Sequence, residues 1–149
     1  MSQITLKIIQ TDNAKDLPIP RYMTPGAAGM DLYANIPNQI TLSKGEIQVI
    51  PSGICIAIPQ GYEAQIRPRS GLAAKYGIGL VNGPGTIDSD YRGEILIIMI
   101  NHGKQDFVIH RGDRIAQMVI NKVEIVKLQI EQSLDSTSRQ AGGLGHTGV

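Results

Sequence analysis

The sequence predicts an all-β domain with one short helix, folded as a sandwich or jelly-roll-like barrel. Three observations predict it. Short runs rich in branched residues recur along the chain, each bounded by Gly, Pro, Asn, Asp or Ser, the pattern of short strands joined by turns. A single stretch, Ser70 to Tyr76, reads as a helix. No internal repeat or obvious domain linker interrupts the 149 residues, a length that suits one domain with a sizeable core.

The strands are expected at Ile4–Ile9, Ile40–Leu42, Ile47–Ile50, Ile54–Ile58, Tyr62–Arg67, Ile95–Ile100, Phe107–Ile109, Arg114–Ile120 and Val123–Leu128. A further strand is expected to carry Asp31 near its start. Ser70 is expected to cap the helix and Gly77 to end it. The strand Ile95-Leu96-Ile97-Ile98-Met99-Ile100 does not alternate. A strand with one wet face reads apolar-in, polar-out. An apolar second face predicts that another chain covers it, so a homo-oligomer is expected. Residues 1–132 are read as the β domain, and 133–149 as a flexible, Gly-rich C-terminal tail.

Composition sets the class. Hydrophobic content is 42% and the formal net charge is +1. That charge argues against a general nucleic-acid or membrane binder, so any anion site must be a local cluster. Cys55 is the only cysteine and forms neither an internal disulfide nor a zinc site. It reads as a small buried hydrophobe in a reducing cytoplasm. The N-terminus shows no signal-peptide pattern, and no apolar run approaches the roughly 20 residues needed to span a bilayer. The histidines His102, His110 and His146 lack metal-ligand spacing. No Gly-x-Ser-x-Gly elbow is present.

The chemistry concentrates in a few segments. Gly85-Thr86-Ile87-Asp88-Ser89-Asp90-Tyr91-Arg92-Gly93-Glu94 packs carboxylates, a ring and a guanidinium between glycines, just before an apolar strand. Loops on a rigid β scaffold are where function concentrates. Arg67-Pro68-Arg69-Ser70-Gly71 ends a strand and opens the helix, where arginines, a hydroxyl and free backbone N–H groups suit phosphate. It is not a Walker loop. Asp31, in Gly29-Met30-Asp31-Leu32, is either a turn residue or the carboxylate that holds a hydrated magnesium ion. Gly112-Asp113-Arg114-Ile115-Ala116-Gln117 sets Arg114 and Gln117 around a strand start. In the tail, Arg139, His146 and Thr147 are phosphate-holding groups among glycines. Together these describe a binder or hydrolase of a polyphosphate, without identifying its base or sugar.

Taken in order, these segments closely resemble the homotrimeric dUTPases over essentially the whole chain. The matching motifs are Ala28 to Ala34, Arg67 to Ala73, Gly85 to Glu94, Gly112 to Gln117 and Arg139 to Gly148. The resemblance implies a distorted jelly-roll, β-clip-like homotrimer with exchange of C-terminal tails and sites shared by three chains. It implies magnesium-dependent hydrolysis of dUTP to dUMP and diphosphate. By resemblance, Asp88 is the water-activating base and Gln117 lies near the α-phosphate. Tyr91 packs under the deoxyribose. Asn82, Thr86 and Ile87 belong to the hairpin that reads uracil. Arg69, Ser70 and Gly71 bind phosphate, and Asp31 holds magnesium through water. Arg139 reaches the γ-phosphate with Gly145, His146 and Thr147. Leu144 stands where the family usually has an aromatic residue that stacks on the base.

An ordinary aspartate, with a reference pKa of about 3.9, is ionised at neutral pH, so such a base needs no buried setting. Other readings remain distinguishable. A dCTP deaminase shares the fold and would release ammonia, but Tyr91 and the complete tail pattern favour hydrolysis. A catalytically weak nucleotide-binding or regulatory protein would not need Asp88, Asp31, Arg69 and Arg139 together.

Overall fold

The computed structural model describes residues 4–143. The elements run β1 (Lys7–Gln10), a 3-10 turn (Asp12–Ala14), β2 (Gly29–Tyr33), β3 (Ile40–Leu42), β4 (Ile47–Ala57), β5 (Tyr62–Arg67) and α1 (Ser70–Tyr76). They continue with β6 (Ile78–Leu80), β7 (Gly85–Ile87), β8 (Glu94–Asn101), β9 (Phe107–Ile109) and β10 (Arg114–Lys122). One sheet has the order β1-β4-β8-β6, a second β2-β10-β5-β7, and β3 pairs with β9. Every ladder is antiparallel. Among the described residues no helix is long and apolar enough to cross a membrane.

The core forms where the sheets face each other. Ile50, Ile54 and Ile56 of β4 and Ile95, Ile97 and Met99 of β8 join one buried cluster with Leu32, Ala64, Ile66, Ala116 and Met118 of the second sheet. Leu42 and Ile109 close it from the third. Burying branched side chains contributes roughly 1.5–3 kcal/mol each, which is why so simple an apolar alphabet suffices.

Two irregularities shape the sheets. Strands expected separately at Ile47–Ile50 and Ile54–Ile58 are one strand, β4, whose pairing with β8 shifts between Pro51 and Cys55. The shift centres on Gly53, which has φ +74°. A Cβ there would lie 2.3 Å from the Ala14 Cβ. The Gly53 N–H donates to Glu94 Oε1 at 2.7 Å. In β10 the register against β2 slips between Arg114 and Ala116. Ile115 and Ala116 are consecutively buried, the mark of a bulge that leaves an extra residue on one strand.

Some expectations need correction. Arg69, not Ser70, occupies the N-cap of α1, and no side chain caps that end. Ser70 is the first helical residue. Gly77 ends the helix as expected, with φ +71°. Val123–Leu128 is not a strand. After β10 the chain runs on without a ladder, and Ile125 and Leu128 are exposed. A branched composition predicted strand there, but among the described residues no neighbouring edge pairs with it. The outer face of the first sheet is also apolar. Ile47, Val49 and Leu96 are about half exposed, at 50%, 52% and 49%. They lie on the same side because Ile47 faces Ile100 and Val49 faces Ile98 across the ladder. The non-alternation of β8 thus reflects one face in the core and one apolar face that this chain leaves uncovered.

Candidate active site

β10 runs between β2 and β5, and its pairing builds a row across three strands. Gln117 sits opposite Asp31 on one side and opposite Arg67 on the other. Directly opposed residues in an antiparallel ladder project to the same face. Asp31, Gln117 and Arg67 therefore stand side by side, roughly 10 Å from end to end at about 4.8 Å per strand. The bulge at Ile115 adds Arg114 to this face. Alternation alone would put residues three apart on opposite faces.

Asp31 holds the row's electrostatics. Its side chain is 12% exposed, with Arg69 Nε 3.1 Å from Oδ1 and Arg114 Nη1 3.1 Å from Oδ2. Arg114 donates a true hydrogen bond. The Arg69 Nε–H is not aligned on Asp31, and this buried atom has no acceptor among the described residues. Arg69 Nη1 donates to the Arg114 carbonyl at 2.9 Å. An unpartnered buried N–H is costly, and here it lies in a cleft lined by Gly29, Asp31, Arg67, Arg114 and Gln117. Arg69 itself lines that cleft, so its guanidinium is placed to meet an incoming anion. Gly29 keeps that cleft open, since a Cβ there would meet Gln117 Oε1 at 3.0 Å. Ser70 and Gly71 open α1 next to Arg69, where the first N–H groups have no intrahelical acceptor.

The second group of expected residues lies on the β6–β7 connection, β7 and the turn after it. The expected hairpin is not one, because β6 pairs with β8 and β7 with β5, in different sheets. Asn82 is in the turn that crosses from one sheet to the other, close enough to β7 that a Cβ on Gly85 would lie 3.0 Å from its Nδ2. Thr86 pairs with Gln65 and Ile87 with Ala64. Thr86 and Asp88 line a separate cleft with Tyr62, Glu63, Asp90 and Arg92. Asp88 closes a turn, its carbonyl accepting from the Tyr91 N–H at 3.2 Å. The Tyr91 ring lies over Gly93, where a Cβ would be 2.4 Å from the phenol oxygen. Its hydroxyl donates to the Glu94 carbonyl at 2.9 Å. That glycine is required for the ring to lie flat on the turn.

The structure therefore brings Asp31, Arg69, Ser70, Gly71 and Gln117 together, and Thr86 and Asp88 together, but not the two groups with each other. Their clefts share no lining residue. Arg139 is exposed and Nε donates to the Gly142 carbonyl at 2.8 Å. It lines neither cleft. Leu144, Gly145, His146 and Thr147 lie outside the described residues. Among the described residues no group of three or more His, Cys, Asp or Glu is placed to chelate a metal ion.

Sequence reasoning missed how Arg111 braces this region. Its guanidinium reaches Asp16, Asn35 and the carbonyls of Asn13 and Ile36. The ion pair holds the Asp16 carboxyl below the usual carboxylate range and raises Arg111. Backbone bonds from Gly112 to Ala34 and from Ala34 to Asp113 then tie the segment before Arg114 to the end of β2. The pairing of Arg114 with Asp31 was also missed. Its signal was the polar pair Arg114 and Gln117 spaced against the strand period.

A dUTPase family model matches residues 15–148. The chain belongs to the dUTPase family. It is 60% identical over 146 residues to a deoxyuridine 5'-triphosphate nucleotidohydrolase of Caldanaerobacter subterraneus subsp. tengcongensis, covering 98% of this chain and 99% of that one. A protein of the same name from Maricaulis maris is 53% identical over 151 residues, covering 100% and 99%. Among solved structures, the dUTPase of Staphylococcus bacteriophage 80alpha with dUPNHPP superposes with a TM-score of 0.88 at 23% identity, covering 99% of this chain and 100% of that one. A mutant dUTPase of phage phi11 of S. aureus, described with a structural Mg(II) ion, gives 0.77 at 22% identity over 87% and 98%. These likenesses show the fold of the dUTPases in this chain.

Proposed function

We propose that this protein hydrolyses dUTP to dUMP and diphosphate, in a site assembled from more than one copy of the chain. The observation that carries the reading is the Asp31 cleft, where arginines converge on one carboxylate beside an unsatisfied Arg69 N–H. Such a cleft suits a polyphosphate. The high identity to named dUTP nucleotidohydrolases supplies the base and sugar.

Asp88 takes a proton from a water that attacks the α-phosphorus. The bond from that phosphorus to the bridging oxygen breaks, and diphosphate leaves. Gln117 orients the α-phosphate and the water. Arg69, with the backbone N–H groups of Ser70 and Gly71, neutralises charge on the leaving phosphates. Phosphoryl transfer needs this positioning and neutralisation more than covalent chemistry. Asn82, Thr86 and Ile87 present the backbone of the β6–β7 segment to uracil. Tyr91 stacks under the deoxyribose and leaves no room for a 2′-hydroxyl. A backbone segment that reads the polar edge of the base rejects cytosine, because buried groups left unpaired are costly.

Asp31 is the residue that would hold a magnesium ion, and only through water, since no cluster of carboxylates among the described residues could chelate it directly. Asp31 is a lone carboxylate with each oxygen against an arginine, and magnesium keeps several waters when few carboxylates hold it. When bound, it would neutralise triphosphate charge. Arg139, His146 and Thr147 close the tail on the γ-phosphate, with Gly145 allowing close approach and Leu144 covering the base without a ring.

The separation of Asp88 from Asp31 supports sharing between chains, and the half-exposed Ile47, Val49 and Leu96 supply an apolar interface. The assembly is a homotrimer with exchanged tails, acting in the cytoplasm on a small nucleotide rather than on nucleic acid or membrane. Asp88→Asn tests the base. Turnover should fall by more than a thousandfold while nucleotide binding is kept, and near-normal kcat would reject the assignment. Mixing that variant with a chain cut after Thr137 tests sharing. Hybrid assemblies should regain activity, and none regained despite confirmed mixing would reject a shared site.

A further inference from the structure

We infer that Arg67 is an additional polyphosphate-binding residue, held in place by a side-chain relay along β5. The inference rests on reading the Asp31 cleft as the polyphosphate site. Arg67 lies opposite Gln117 in the ladder, on the far side of it from Asp31, and lines the same cleft. Its Nε and Nη2 both donate to Gln65 Oε1, at 3.2 and 2.7 Å. Gln65 Nε2 donates in turn to Glu63 Oε1 at 2.7 Å. Residues 63, 65 and 67 share one strand face, so the relay follows from the period of two.

The relay fixes a guanidinium that is otherwise exposed, and it leaves Nη1 without a partner among the described residues. Charge gives that free edge its use. Arg69 and Arg114 are both engaged with Asp31, so those groups alone leave the cleft with one net positive charge. Arg67 adds a second, unneutralised by any carboxylate in contact with it. A polyphosphate lying along the row would meet Arg69 at one end, the Gln117 amide in the middle and Arg67 at the other. Charge-assisted bonds from arginine to phosphate are the strong kind. The relay begins at Glu63, which lines the Asp88 cleft, so β5 borders both clefts of one chain.

The test uses full-length protein and inorganic pyrophosphate as the probe, by calorimetry, with dUTP kinetics alongside. Arg67→Gln should weaken pyrophosphate binding about five- to tenfold and raise KM for dUTP by a similar factor, with a smaller change in kcat. Arg67→Lys should recover part of the loss. Lys44→Gln, which removes an equal charge from an exposed turn, should change neither. Gln65→Ala, which frees the guanidinium, should give an intermediate loss. Should the glutamine variant fold poorly, Arg67→Met keeps the aliphatic stem and gives the same readout. Unchanged pyrophosphate affinity in Arg67→Gln, with a parent that binds pyrophosphate and turns over dUTP, overturns the inference alone. A parent that does neither overturns the reading of the cleft, and the Arg67 assignment falls with it.

Discussion

Asn101 ends β8 and is fully buried, at 0% exposure. Its side chain closes the β8–β9 connection. Nδ2 donates to the Leu42 carbonyl at 2.9 Å and to the Gln105 carbonyl at 2.8 Å, and Oδ1 accepts from the Gly103 N–H at 2.8 Å. These bonds hold Gly103 against the end of α1. A Cβ on Gly77 would lie 2.6 Å from Gly103, and a Cβ on Gly103 would lie 2.1 Å from the Tyr76 carbonyl oxygen. Asn101→Ala removes all three bonds, leaving the Leu42 carbonyl stranded in a buried site and the Gln105 carbonyl and Gly103 N–H in a part-buried one. Each lost bond costs about 1 kcal/mol, and more where the orphaned group stays buried. The expected loss is therefore about 3–5 kcal/mol. Denaturant unfolding of parent and variant at one fixed protein concentration measures it, since assembly makes apparent stability concentration-dependent. A loss below about 1 kcal/mol, with an unchanged m-value, would refute the claim that this asparagine organises the connection.

Two further perturbations probe the assembly and the brace before Arg114. Leu96→Asp puts a charge on the uncovered face of β8 without entering the core, so light scattering should show a smaller species than the parent, and an unchanged assembly would rule that face out. Asp16 has its carboxyl lowered chiefly by its hydrogen bond to Arg111, so its contribution is present above the unfolded pKa and lost as pH falls through the folded one. Asp16→Asn should lower Tm at pH 7, with the gap closing in the acid range below an ordinary carboxylate pKa. A gap that is constant with pH would remove the ion pair from the account.

The fold was legible wherever one strand made one face. Ile40–Leu42, Tyr62–Arg67 and Phe107–Ile109 match β3, β5 and β9 at both ends, because their apolar residues and turn formers agree. Bulges broke the reading. Ser52, Gly53 and Ile54 are buried in succession, so one long strand looked like two short ones. The short strand β7 was absorbed into the motif from Gly85 to Glu94 and β6 was not anticipated, since three residues carry little periodicity. Val123–Leu128 failed for the opposite reason. Its composition is that of a strand, but among the described residues no edge pairs with it. At the site, residue types named the chemistry while pairing set the geometry. Nothing local in the sequence announces that Asp31 and Gln117 are neighbours, because only the ladder between β2 and β10 makes them so. The uncommitted polar residues, Gln65 and Glu63, looked like an ordinary wet strand face until their chain of bonds to Arg67 was visible.

The central claim is that these clefts, assembled between chains, select and cleave dUTP. A pyrophosphate-release assay over dUTP, dTTP, dCTP and UTP, with and without magnesium, tests it most directly. The account predicts release of diphosphate from dUTP in the presence of magnesium, with the other three turned over at least a hundredfold less efficiently in kcat/KM. Comparable turnover of UTP or dCTP, or no release from dUTP under those conditions, would contradict it.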